Sequence, residues 1–376
     1  MIHLCLVAFS VNMASVDSGY SYITEWGSHG ADTDKFLSPQ HLTTDPNGNV
    51  YVYDSGSNGF KKFNSDGEYL LAWTSSNIFH ISGIVADDEY LYVTDERLNN
   101  VQKFTHDGLF ISKWGTVGSS DGKFIQPKGI AQDLDKNIYV IDSGNNRIQV
   151  FTSNGTFILL FGQDTFETKI FVSLNDIAVD SSNNVYVTDA RNSAIYVFNS
   201  LGNYVNEFGP NAGGRHMAPL GMAVDDSDNI YVVDPSNQRV ILFDFTGLLV
   251  ASFGILGTAD GQFNYPNDIT VSSDYSIYVS DLNLKRIQKF TSPLRAYFLE
   301  QSALTVSDVT LSTDTPQSAS NARSESSVLT SISDDFTAPI IYPPNDLVIE
   351  ATGILTTLSI GEAVAIDESG IADITK

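Results

Sequence analysis

Residues 137–151 read NIYVIDSGNNRIQVF. Ile138, Val140, Ile148 and Val150 alternate with other residues at period two, the spacing of half-buried strands. Between them, Asp142-Ser143-Gly144-Asn145-Asn146 gathers residues that bond their own backbone or accept positive φ. The stretch is strand, tight turn, strand. One hairpin decides no fold, but this one recurs.

A Tyr followed three residues later by Asp occurs six times, at Tyr51/Asp54, Tyr92/Asp95, Tyr139/Asp142, Tyr186/Asp189, Tyr231/Asp234 and Tyr278/Asp281. The Tyr spacings are 41, 47, 47, 45 and 47 residues. A regular period in that range marks a propeller or a solenoid. Each period holds four strand-like runs and no helical periodicity, which selects a propeller blade. In the third copy the strands are expected at Gly129–Asp133, Asn137–Asp142, Arg147–Thr152 and Thr156–Gly162.

The outer strand predicts how the ring closes. Nineteen residues after the Asp stands an aromatic in five copies: Trp73, Trp114, Phe161, Phe208 and Phe253. The sixth copy has Glu300 there, behind Pro293, and the missing aromatic lies upstream of the first copy as Trp26. The strand Tyr20–Trp26 is therefore expected to complete the last blade, leaving no unpaired gap in the ring. The fold class is all-β, a six-bladed propeller over residues 20–300.

Composition bounds the rest. The chain has 376 residues, 42% of them hydrophobic, enough for a sizeable core. Its net charge of −25 argues against a nucleic-acid backbone or an anionic membrane as partner. One cysteine, Cys5, excludes a disulfide framework within the chain. Residues 1–19 begin with a short apolar run that fits the core of a secretory signal, although a basic start is missing. No apolar run is long enough to span a membrane. Residues 301–335 carry 15 Ser and Thr and read as a linker. Residues 336–376 regain strand character, too short for a sandwich, and are expected to be part of a second β domain.

The repeat resembles the NHL family of six-bladed propellers. The resemblance rests on GKFIQPKGIAQD at 122–133 and GQFNYPNDITVS at 261–272, with GNNRIQVF at 144–151, SNQRVILF at 236–243 and NLKRIQKF at 283–290. Arg147, Arg239 and Arg286 match the family arginine, whereas Gly59, Asn100 and Ala194 replace it in the other copies. TAPIIYPPNDLVIEATG at 337–353 resembles the start of a hyalin-repeat (HYR) module, an immunoglobulin-like extracellular domain.

Ligand sites of propellers collect at a mouth of the axial channel, as at other barrel mouths. The positions that open the inner strands are His41, Gly83, Gly129, Asp176, Gly221 and Asp268. His41, Asp176 and Asp268 can ligate a cation, and oxygen ligands from separate blades suit calcium. Asn175 and Asn267 precede the two Asp residues. The competing reading is that Asn-Asp before a strand bonds local backbone. The six repeated Asp residues read as turn-formers, and the three arginines as their partners. Resemblance to related propellers implies two enzymatic models, an amidating lyase with channel histidines and a calcium-dependent lactonase. Only His41 among the histidines opens an inner strand; His80, His106 and His216 fall in connections. RNA binding, known for some NHL propellers, is disfavoured because residues 20–300 hold 18 basic against 33 acidic side chains.

The sequence contains no nucleophile elbow, phosphate loop or metalloprotease motif. The expectation is a secreted, monomeric, non-catalytic module with no obligatory cofactor, presenting one face to a protein or glycan ligand. The alternative is a calcium-assisted hydrolase or lyase at the channel mouth.

Overall fold

The computed structural model describes residues 19–162, 171–210 and 212–292, together with residues 366–367 and 370–371. The chain divides into two compact units, Met1–Ala303 and Leu304–Lys376. In the second unit, Ile366–Asp367 pairs antiparallel with Gly370–Ile371. The leader, the linker and most of the HYR-like stretch lie outside the described residues. No helix of the described residues is long and apolar enough to cross a membrane.

The first unit holds six four-stranded antiparallel sheets. In blade three the strands are Pro127–Gln132, Ile138–Asp142, Arg147–Phe151 and Phe157–Phe161, inner to outer. The inner strand starts two residues earlier than the sequence pattern implied, because Pro127 already pairs with Asp142. A register shift between Pro127 and Ile130 contains Gly129, so the opening position is a bulge rather than a regular strand residue.

The N-terminal strand Ser21–Trp26 is the outer strand of blade six, antiparallel to Arg286–Thr291. Trp26 faces Ile287 in the register that Phe161 takes on Ile148 and Phe253 on Val240. The aromatic missing from the sixth copy is thus supplied from the other end of the array, and the ring is closed.

The middle strands are not half-buried. Every residue of Ile138–Asp142 and Arg147–Phe151 is buried. The reason is packing on both faces: six apolar clusters fill the six wedges between neighbouring blades. One face of a strand enters one wedge and the other face the next. The period-two pattern therefore separates two cores rather than core from water.

Outer aromatics lock the blades together. Trp73 of blade one lies against Gly108 in the outer turn of blade two, and Trp114 against Gly155 of blade three. A Cβ on Gly108 would stand 2.4 Å from the Trp73 ring, and the backbone there has φ +81. Only glycine meets both demands.

Candidate functional site

The repeated Asp after each second strand is fully buried in all six blades. Asp142 shows why a charge is tolerated there. It accepts the Ile125 N–H at 2.7 Å, the Arg147 Nε at 2.7 Å, the Asn145 amide at 2.8 Å and the Gln149 amide at 3.0 Å. Buried charges persist when paired and hydrogen-bonded in this way. Arg239 donates to Asp234 at 3.0 Å in the same manner. Arg286 departs from the expectation: its ion pair is with Glu25 of the N-terminal strand. There the closing strand itself brings a carboxylate within reach. Asp281 is correspondingly pushed above the usual carboxylate range, by burial first, with its backbone N–H donors and Arg286 opposing.

A second repeated Asp escaped the sequence reading. Asp45, Asp133, Asp180 and Asp225 each accept the hydroxyl of the Tyr six residues on, at 2.9, 3.1, 3.0 and 3.1 Å. Asp87 accepts from Tyr92, five residues on, at 3.4 Å. The near-constant offset from the repeated Tyr was the available signal. Blade six has Ser272 at this position, and Tyr278 donates to the Ser65 carbonyl instead.

With these residues assigned to structure, chemistry collects at the axis. A cavity of about 170 Å³ opens on the face where inner strands begin. All six blades line it. The three predicted ligands are there: His41, Asp176 and Asp268. His41 Nδ1 lies 3.3 Å from Asp268 Oδ2. Asn175 and Asn267 line the cavity too.

Both carboxylates tie blades together. Asp268 of blade six accepts the N–H of Leu42 in blade one at 3.1 Å and that of Ile269 at 2.8 Å. Asp176 of blade four accepts the N–H of Met222 in blade five at 2.8 Å and that of Ile177 at 2.9 Å. The local-backbone reading of Asn-Asp therefore describes part of their role, but half of the bonds cross a wedge. Burial, and then the Asp268 charge, push the Asp176 carboxyl well above the usual range. Glycine at neighbouring positions makes the room: a Cβ on Gly129 would meet Asp176 Oδ1 at 2.6 Å, and one on Gly221 would meet Asp268 Oδ1 at 2.3 Å. Among the described residues, no three His, Cys, Asp or Glu side chains are grouped so as to hold a metal ion.

Five further polar residues line the cavity: Gln40, His80, Ser82, Glu96 and Lys128. His80 lies in a connection, as its sequence position implied, yet it reaches the axis. Lys128 donates to Asn175 at 3.1 Å. The side-chain oxygen of Gln40 is buried with no hydrogen-bond partner. Such an orphan costs stability unless something completes it.

Comparison with known proteins agrees with the architecture. Residues 124–151 match the NHL repeat model, and residues 152–252 match a six-bladed beta-propeller model. No curated protein sequence matches the chain. Among solved structures, a streptogramin B lyase superposes with TM-score 0.54 at 15% identity, over 73% of this chain and 98% of that one. A Bacteroides thetaiotaomicron protein of unknown function gives TM-score 0.57 at 19% identity, over 72% and 75%. An auxiliary nutrient binding protein from Bacteroides ovatus gives 0.55 at 15% identity, over 73% and 76%. At these identities the likeness is one of fold. The chain carries an NHL repeat and folds as a six-bladed β-propeller closed by its N-terminal strand.

Proposed function

We propose that this propeller is a binding module that takes a protein or glycan ligand at its axial mouth, outside the cytoplasm and without catalysing a reaction. One observation carries the reading: all six blades converge on a polar cavity whose lining includes Gln40, His41, Asn175 and Asn267. The signal-like apolar run in residues 1–19 and the Ser/Thr-rich stretch at 301–335 support an extracytoplasmic setting. The solved neighbours include a lyase and a nutrient binding protein, so fold alone favours neither.

The test is to probe glycan and protein arrays with the full chain and with Gln40→Ala. A ligand retained by the native protein should be weakened about tenfold or more by the variant. An affinity unchanged by Gln40→Ala places binding elsewhere and overturns the reading.

The calcium-assisted hydrolase or lyase has one supporting observation. Asp176 is buried near the Asp268 charge, an arrangement that a cation would relieve. His41, Asp176 and Asp268 would then be the ligands. Heat on titration with calcium or zinc, and a lower melting temperature in chelator, would support it. A flat titration with unchanged melting would end it.

A further inference from the structure

The axial cavity continues outward. His80 and Glu96 line it and also line a second cavity of about 270 Å³, bounded in addition by Phe79, Arg97 and Gln126. The opening lies over blade two, and the repeat period says why. Blades one, three and six are entered through long connections, residues 27–38, 115–126 and 254–265. Blade two is entered through residues 75–80 alone. That deletion is what shortened the first Tyr spacing to 41.

The short connection keeps the structural parts of the long ones. Ile78 is buried like Phe36, Phe124 and Phe263. The Phe79 N–H bonds Asp95 at 2.7 Å, as the Ile125 N–H bonds Asp142. The glycine-containing arch before them is gone, so the face is open there. Blade two also changes the floor. Two residues after the repeated Asp, blades one and three have Gly56 and Gly144, packed so closely under Leu37 and Ile125 that a Cβ would stand 2.4 and 2.3 Å away. Blade two has Arg97, whose guanidinium stands 5.7 Å from the Phe79 ring. Phe79 remains 54% exposed.

We infer that this groove binds a linear neutral oligosaccharide, with one sugar ring stacked on Phe79 and the chain leading past His80 and Glu96 into the axial cavity. The inference rests on the binding-module reading and names its ligand class. An exposed aromatic ring offers an apolar platform to the C–H face of a sugar. Beyond it the wall includes amides, a hydroxyl and imidazoles, groups that both donate and accept, as hydroxyl-rich ligands require. Arg97 and Lys128 stand among Glu96, Asp176 and Asp268, so neither sign of charge prevails strongly in the groove. An acidic glycan would also meet the −25 net charge of the chain. The groove offers a peptide one ring and no run of apolar pockets.

The experiment is calorimetry of the full chain with linear gluco-, manno-, galacto- and xylo-oligosaccharides, from disaccharide to hexasaccharide, beside an acidic oligosaccharide series and a mixed peptide library. One neutral series should tighten about tenfold with length. Phe79→Ala should remove that gain while changing the short members less than about twofold, and Gln40→Ala should weaken every length. Phe79 is exposed, so its removal leaves the fold intact. Length-independent affinity, an inert Phe79→Ala, preference for acidic glycans or peptides, or no binding to any neutral series overturns the inference. If Gln40→Ala weakens a ligand and Phe79→Ala does not, the groove fails and the axial module stands. If neither variant matters, both fail.

Discussion

Arg147 and Asp142 form the architectural pair that the repeat pattern implied. Arg147 is buried, holds Asp142 through Nε, and spans to the carbonyls of Ser120 and Lys123 at 3.0 Å each. Arg147→Met leaves the buried Asp142 carboxylate without its counter-charge, although Ile125, Asn145 and Gln149 still donate to it; a loss of about 3 kcal/mol is expected in denaturant unfolding. Tyr139→Phe removes one hydrogen bond from Asp133, which keeps Asn137, and should cost only about 1 kcal/mol. The repeated tyrosines also set an alkaline limit. Burial first, and then the adjacent carboxylate, hold the phenols of Tyr51, Tyr92, Tyr139 and Tyr186 far above their ordinary range; for Tyr231 burial is followed by the neighbouring Tyr20 phenol and then Asp225. A pKa raised by folding gives stability that is whole below the unfolded value, about 10, and is lost as pH rises beyond it. Ultraviolet titration should therefore show part of the 17 tyrosines ionising only together with unfolding; ionisation of all of them before the fold is lost would contradict the geometry.

At the level of the strand and turn, the ring depends on local features repeated between neighbours. Gly108→Ala forces a Cβ into Trp73 and strains a left-handed backbone, and should destabilise by about 2 kcal/mol or more in thermal unfolding. The same substitution at Gly122, where a Cβ would have nothing within 4 Å, meets only the backbone cost at φ +73 and should lose less. Deleting residues 19–26 would leave Arg286–Thr291 as an open edge and uncover Phe253, on which Tyr20 stacks at 4.8 Å. The truncated chain should melt lower and associate through that edge, which light scattering reads. This closure was legible in the sequence because one aromatic was missing at one end and present at the other. The blade-two groove was not. Its deletion was visible as a spacing of 41, but a shorter spacing alone says nothing about which part of a blade is lost.

For the whole propeller the dominant forces are the six inter-blade wedges and the net charge. Because each strand feeds two wedges, damage to one blade is felt by both neighbours. The net charge of −25 works against compaction. Raising salt from about 0.02 to about 0.3 M shortens the Debye length severalfold and should raise the melting temperature by a few degrees. A fall over that range would mean that attractive ion pairs such as Lys35 with Asp32 outweigh the repulsion. The closed ring also fixes where a ligand can be met. Side chains separated by more than two hundred residues, such as His41 and Asp268, come within 3.3 Å only because the last blade returns to the first.

The amino-acid sequence by itself determined the blade count, the four strands of each blade and the strand that closes the ring, because those follow from period, turn chemistry and one misplaced aromatic. It also placed His41, Asp176 and Asp268 at one mouth, since repeat copies in register share an end of the barrel. Only the tertiary structure decided what surrounds them. Asp176 and Asp268 bond the next blade, Gln40 is left with an unpartnered oxygen, and His80 and Glu96 join the axis to an open groove. Each of these depends on a side chain from a different blade, and no local pattern within one repeat encodes the distance between two repeats.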